Sequence, residues 1–225
     1  MTDAAPLSPP IPHTEAEPVG AAQIAAFLAA RMCHDFISPV SAIVSGLDLL
    51  EDPDAQDMRE DAMGLIEASA KKMVALVAFA RVAFGAATSA ERFSGAELGE
   101  LVSGLTEGGR ATLEWAVADV SYSKAQSRAL VNLAYLTMAA LPSGGVATIA
   151  TRAEDGLVIE GRAEGARARL KGEAVAGLAG QPLTEGLPGQ WIQPYWLWLT
   201  AHDAGGSLDV AAEEGRVVLT AHMPN

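Results

Sequence analysis

A histidine followed directly by an aspartate, with serine and proline four and five residues after the histidine, is the pattern in this chain best suited to chemistry. The residues are His34, Asp35, Ser38 and Pro39. An imidazole is largely neutral near pH 7, so one ring nitrogen can act as a nucleophile without a dedicated base. Ser38 stands one helical turn on and can hydrogen-bond near the ring. Asp35 lies about 100° further around a helix and need not touch the ring at all. As a solvated helix charge it would have no chemical role.

These residues sit in a helical pattern spanning residues 19–50. Leu28, Met32, Phe36, Pro39, Val40, Ile43, Leu47 and Leu50 fall in one apolar stripe about 120° wide. His34 lands roughly opposite the stripe's centre, on a face shared with Ser38, Ser41, Ser45 and Asp48. It therefore points to solvent, among small side chains that let another surface approach. Pro39 predicts a kink, because its ring clashes with the preceding turn. The lone cysteine, Cys33, falls at the stripe's edge and reads as a packed thiol rather than a reactive one.

The sequence His34-Asp35-x-x-Ser38-Pro39 resembles the H box of sensor histidine kinases, carried on the first helix of their dimerisation and phosphotransfer domain. In active kinases of that kind the acid after the histidine is held to be the base for autophosphorylation. The rest of the chain extends the resemblance. After the turn Glu51-Asp52-Pro53-Asp54, a second helix is predicted over residues 55–84. Its apolar face holds Met58, Ala62, Leu65, Ile66, Met73, Leu76, Val77 and Ala80. Asp54, Asp57, Glu60 and Asp61 crowd its start, where the helix dipole favours negative charge. Two such helices make an antiparallel hairpin, and a second copy is the simplest cover for its stripes, giving a dimeric four-helix bundle. A monomer folding its second half over the stripe is the other possibility.

Residues 85–89 read as a linker, and beyond them the pattern is mixed. A helix over 94–104 opens with the capping-box pair Ser94 and Glu97. A strand over 113–120 and an amphipathic helix over 123–140 follow. Strands over 146–151 and 157–162 flank the turn Glu154-Asp155-Gly156. A Gly-rich segment over 165–189 leads to a helix over 192–204 and a closing hairpin, 207–211 with 216–223. This order resembles the Bergerat-type ATP-binding domain of histidine kinases. Arg128-Ala-Leu-Val-Asn132-Leu133 is similar to the start of its N box. His202-Asp-Ala-Gly205-Gly206 with the final hairpin is similar to its last elements.

The departures set the expected activity. Leu136 stands where the family has its magnesium-binding asparagine. Ala163 and Arg167 replace the aspartate and second glycine of the adenine-reading motif. Leu187-Pro-Gly-Gln-Trp-Ile-Gln-Pro-Tyr replaces the phosphate loop. A nucleotide site needs a metal ligand, an adenine acceptor and a loop free to wrap phosphates. Trp191, Tyr195, Trp196 and Trp198 fit either a plug in that pocket or ordinary helix packing, and we favour packing.

A histidine-bearing hairpin joined to a degenerate ATPase domain is similar to the ChpT-type histidine phosphotransferases of alphaproteobacteria. The fold expected is α+β: the dimeric hairpin bundle, then a degenerate histidine-kinase-like ATPase α/β sandwich. The division expected is a disordered Pro-rich arm (1–18), a dimerisation and phosphotransfer domain (19–85) and an ATPase-like domain without a nucleotide site (86–225). The resemblance implies that His34 accepts a phosphoryl group from the receiver aspartate of a hybrid kinase and passes it to response-regulator receivers. It implies no cofactor of the chain's own, with magnesium carried by the receiver. Asp35 and Ser38 are candidates for orienting the ring. Arg162, Arg167, Arg169 and Lys171, offset only by Glu164, are a basic group suited to docking an acidic receiver pocket. Structural readings suit His202 and His222, and His13 lies in the arm.

Composition sets the remaining bounds. Half the residues are hydrophobic, 19% are charged and the net charge is −13, which disfavours nucleic-acid binding. Arg31 and Arg81 interrupt the longest apolar runs, so no membrane span is expected, and the N-terminus lacks a signal-peptide pattern. One cysteine fits a reducing compartment. A soluble cytoplasmic protein is expected. Two other readings compete: an active histidine kinase with a divergent ATP site, which would bind and use ATP, and a non-catalytic partner-switching protein, in which phosphorylation of His34 would be irrelevant.

Overall fold

The structure, a computed structural model, describes residues 19–85, 92–106 and 108–224. The arm and residues 86–89 of the linker lie outside them. Helix α1 (Ala21–Glu51) runs through Pro39 without a break. Proline cannot donate to the carbonyl four residues back, so the helix loses one bond at Asp35. Asp52 ends α1 and accepts from the Asp54 N–H at 2.9 Å. The chain then makes a 3-10 turn (Pro53–Met58) before α2 (Arg59–Ala83). The second helix thus starts four residues later than the sequence suggests, because Pro53 and a non-helical Ala55 tighten the first turn.

At Gly46 the first helix packs directly against the second. A Cβ there would stand 2.6 Å from Ile66 Cγ1 and 3.1 Å from the Ala62 carbonyl oxygen. By length and composition α1 is apolar enough to cross a membrane, contrary to the expectation drawn from Arg31. It packs instead on α2 and on the last helix of the fold.

The second part is a two-layer α/β sandwich. Strand β1 (Phe93–Ser94) leads into α3 (Gly95–Thr106), with the expected capping box: Glu97 Oε2 accepts from the Ser94 N–H at 2.7 Å, and Ser94 Oγ from the Glu97 N–H at 3.2 Å. Strand β2 (Ala111–Ala116) stops short of residue 120, and β3 (Ser121–Tyr122) pairs with β1. Helix α4 (Lys124–Ala139) opens with a second capping box, Ser123 with Gln126. Strands β4 (Gly145–Glu154) and β5 (Gly156–Glu164) form the central hairpin. Gly156 at its turn has φ +128°, a conformation only glycine adopts freely. Helix α5 (Gly172–Leu178) lies within the Gly-rich segment, where the sequence analysis assigns no helix. Helix α6 (Pro188–Asp203), β6 (Ser207–Glu213) and β7 (Arg216–Met223) complete the fold.

The five-stranded sheet has the order β2-β4-β5-β7-β6, with only β2 and β4 parallel. Alternate residues Ala147, Ile149, Ile159, Ala163, Leu219 and Ala221 are buried beneath the helices. Burying such a side chain contributes about 1.5–3 kcal/mol for the larger aliphatic ones. Glu114, Thr148 and Glu160 occupy the opposite, open face. Phe79, Val82 and Ala83 at the end of α2 join this same core, tying the hairpin to the sandwich.

Candidate functional site

His34 projects from the middle of α1, its side chain 84% exposed. Ser38, Ser41, Ser45 and Asp48 are exposed on the same face. Nδ1 of the ring lies 3.3 Å from Asp35 Oδ1. Adjacent helix positions usually diverge, so this contact goes beyond the helical-wheel expectation. Asp35 is held from its other side: Arg31 Nε donates to Asp35 Oδ2 at 2.8 Å. Arg31 in turn donates through one terminal nitrogen to the Gly189 carbonyl at 2.7 Å and through the other to the Tyr135 hydroxyl at 2.5 Å. Its guanidinium carbon sits 5.6 Å from the centre of the Tyr135 ring. Burial works to lower the Arg31 pKa, but Tyr135 and Asp35 outweigh it and the net direction is up, so the group stays cationic.

Ser38 is exposed beside the ring, but among the described residues no hydrogen bond joins it to His34. A cleft of about 530 Å³ opens next to both, between the hairpin and the sandwich. Phe36, Leu76 and Phe79 form its apolar wall, and Ser69, Lys72 and Tyr135 add polar groups. Lys72 Nζ donates to the Leu105 carbonyl, fastening α2 to α3 at its edge. An imidazole whose Nδ1 faces a fixed carboxylate presents Nε2 to solvent, a geometry that suits nucleophilic attack.

Cys33 is exposed, not packed. The single broad stripe inferred from the sequence is divided in the structure: Leu28, Pro39 and Gly46 are buried, Met32, Phe36 and Ile43 are half-covered, and Val40 and Leu47 are open. Ile37 (60% exposed) and Val44 (51%) join Val40 and Leu47 in a narrow uncovered stripe, of which the sequence indicates Val40 and Leu47 but not Ile37 or Val44.

The basic residues divide as well. Arg162 is on β5, where it donates to Glu160 Oε1 at 2.8 Å. Arg167, Arg169 and Lys171 are exposed on the loop between β5 and α5. The Arg169 N–H donates to the Ala140 carbonyl, anchoring that loop at the end of α4. Five residues of helix separate this point from Tyr135, a rise of about 7–8 Å. Glu164 is occupied by Arg216 at 3.6 Å.

The positions where the resemblance would put nucleotide ligands do not form such a site. Leu136 and Ala163 are packed in the hydrophobic core, so neither offers a donor atom to metal or base. Asn132, wholly buried, donates to the carbonyls of Ala83 (3.1 Å) and Arg128 (2.9 Å) and accepts from Gln193 Nε2 (3.2 Å). Trp191, also buried, stacks on Tyr195 at 4.3 Å and meets Phe27 of α1 edge-on at 6.1 Å. Those aromatic residues are ordinary helix packing. His202 stacks on Trp198, and His222 lies 3.6 Å from Asp209. Among the described residues no three His, Cys, Asp or Glu side chains gather as a metal site.

Sequence reasoning had noted Arg31 only as a break in an apolar run. Its spacing of four from Asp35 was a readable signal for the ion pair. Tyr135 and Gly189, more than a hundred residues away, gave none.

Comparison with known proteins agrees with this geometry. Residues 95–216 match the histidine phosphotransferase C-terminal domain family. The chain is 31% identical over 209 residues to the protein phosphotransferase ChpT of Brucella abortus (strain 2308), covering 90% of this chain and 97% of that protein. It also resembles a bacterial phosphotransferase of solved structure, with a TM-score of 0.80 and 28% identity over 91% of this chain and 98% of the other. By these matches the chain belongs to the histidine phosphotransferases, phosphorelay enzymes that carry phosphoryl on a histidine rather than taking it from ATP.

Proposed function

We propose that His34 is the phosphoryl carrier, taking the group from the receiver aspartate of a hybrid histidine kinase and passing it to response-regulator receivers. The observation that carries this reading is an exposed ring with Nδ1 on Asp35 and Nε2 free. In the forward step Nε2 attacks phosphorus while the bond to the receiver's aspartyl oxygen breaks and its electron pair leaves with the carboxylate. Nδ1 keeps its proton, and the ring's developing positive charge faces Asp35. Magnesium held by the receiver offsets charge on the transferred group, so this chain supplies position rather than a metal. Transfer between a ring nitrogen and an acyl phosphate can run either way, which suits a relay. Ser38 fits as a small polar neighbour that leaves room for the incoming receiver.

The division proposed is a phosphotransfer hairpin over 19–85 and an ATPase-like domain over 86–225. The uncovered stripe Ile37, Val40, Val44 and Leu47 on α1, with Met63, Val74 and Val77 on α2, supports a homodimeric four-helix bundle. Exposed Arg167, Arg169 and Lys171, with Arg162 nearby in sequence, support docking of an acidic receiver pocket. A cytoplasmic location follows from such partners.

The test is incubation of the full chain with a radiolabelled phospho-receiver. Acid-labile label on wild type and none on His34→Ala or His34→Gln is expected, because neither replacement has a nucleophilic ring nitrogen. Label retained by His34→Ala would sink the assignment.

A further inference from the structure

Leu136 and Ala163 are core residues of the sandwich rather than nucleotide ligands, yet the sandwich reaches the histidine through Arg31. The guanidinium uses its whole fork: Nε on Asp35 of its own helix, one terminal nitrogen on the Tyr135 hydroxyl of α4, the other on the Gly189 carbonyl in the first turn of α6. An exposed ion pair four residues apart on a helix contributes only a few tenths of a kcal/mol and leaves both side chains free to wander. Here Arg31 is largely screened from solvent and fixed at three points, so Asp35 is held in one orientation. With Oδ2 committed to Arg31, Oδ1 is the oxygen left facing His34 Nδ1, 3.3 Å away. The chain of contacts runs from Tyr135 and Gly189 through Arg31 and Asp35 to His34.

Which imidazole nitrogen holds the proton is set by the hydrogen bond the other makes. A mobile carboxylate would leave the ring free to exchange tautomers and rotate. One held by a guanidinium fork keeps the proton on Nδ1 and the lone pair on Nε2. We infer that Arg31 and Tyr135 are positioning residues, through which the ATPase-like domain fixes the tautomer and orientation of His34. On this view the domain orients the phosphorylated residue instead of delivering nucleotide to it. The inference rests on His34 being the carrier, and none of these groups needs to touch the phosphoryl donor.

A simpler strut between hairpin and sandwich would use the same contacts, so the test must read the ring itself. Tyr135→Phe removes one hydroxyl and leaves the aromatic packing against Phe79. Arg31→Lys keeps the charge and loses the fork. Both are compared with wild type, as full chains, by ¹⁵N imidazole spectra of His34 and by the rate of labelling with phosphoramidate, a small donor that needs no docking. Expected are a wild-type ring held mainly as the Nδ1–H form with phosphate on Nε2, a shift toward the Nε2–H form in both variants, and labelling slowed roughly three- to tenfold. The fall should be larger in Arg31→Lys, and thermal melting should confirm that both variants are folded. Unchanged His34 spectra in both variants would overturn the inference, whatever happened to their stability. Wild-type protein that takes no label at His34 would instead remove the carrier reading beneath it, a distinguishable failure.

Discussion

Asn132 and Gln193 meet side chain to side chain at 3.2 Å, both shut away from solvent, joining α4 to α6. The same asparagine donates to the Ala83 carbonyl at the end of α2, which also accepts from Trp196 Nε1 at 2.7 Å. A residue that resembles the opening of a nucleotide-binding motif therefore works as a buried three-way joint between hairpin and sandwich. Such groups are costly to leave unpaired, since folding has already stripped their water.

Asn132→Ala should lower unfolding stability by about 2–4 kcal/mol, since it leaves buried partners unsatisfied and a small cavity. Asn132→Asp should be worse near neutral pH, because the oxygen that replaces the amide nitrogen would face the two carbonyls that now accept from it. The buried carboxyl would have a folded pKa above its unfolded value. The deficit should therefore be smallest below about pH 4 and grow as pH rises through the ordinary carboxylate range. Urea melts from pH 4 to 8 check the direction, and a flat difference would contradict it.

The period-3.6 stripes made both hairpin helices, α4 and α6 legible, and alternation with Asp155-Gly156 made the central strands so. Helix α5 is not legible because Gly172 and Gly177 weaken the helical pattern in so short a segment, although Gly177 packs tightly on Trp191 and Pro194. Cys33 was misplaced because one broad apolar stripe was assumed where the fold covers only part of it. The candidates His34, Asp35 and Ser38 stand at spacings legible in the local sequence. The Tyr135 contact was not, since a separation of 104 residues leaves no local pattern.

Charge placed in the uncovered hairpin stripe should disrupt the proposed dimer. Ile37, Val44 and Val74 are each more than half exposed in the single chain, a poor arrangement for a helix in water. Wild type should sediment at twice the chain mass of 23.2 kDa at micromolar concentration, and Val44→Asp with Val74→Asp near that mass. Monomeric wild type would contradict the bundle.

Nucleotide should not bind usefully. Leu136 and Ala163 are core residues, and Arg167 is a bulky exposed side chain where the resemblance would place glycine. Calorimetric titration with ATP and magnesium should show no saturable heat up to millimolar concentration. Micromolar affinity would contradict the packing described for these positions.

Arg167→Ala and Arg169→Ala should slow transfer from a phospho-receiver without harming the chemistry. Both side chains are exposed and away from the core, so stability should change by less than about 0.5 kcal/mol. Steering charges act on encounter, and their reach shrinks from about 10 Å at 0.1 M salt to about 3 Å at 1 M. The double variant should therefore be several-fold slower than wild type at low salt, and the two should converge as salt rises. Labelling by phosphoramidate, which needs no docking surface, should be the same for both proteins at every salt concentration. Equal receiver-dependent rates at low salt would show that the loop takes no part in docking. A deficit that persists undiminished at 1 M salt would point to direct contact with the receiver in place of steering. Transfer measured from 0.02 to 1 M salt separates these outcomes.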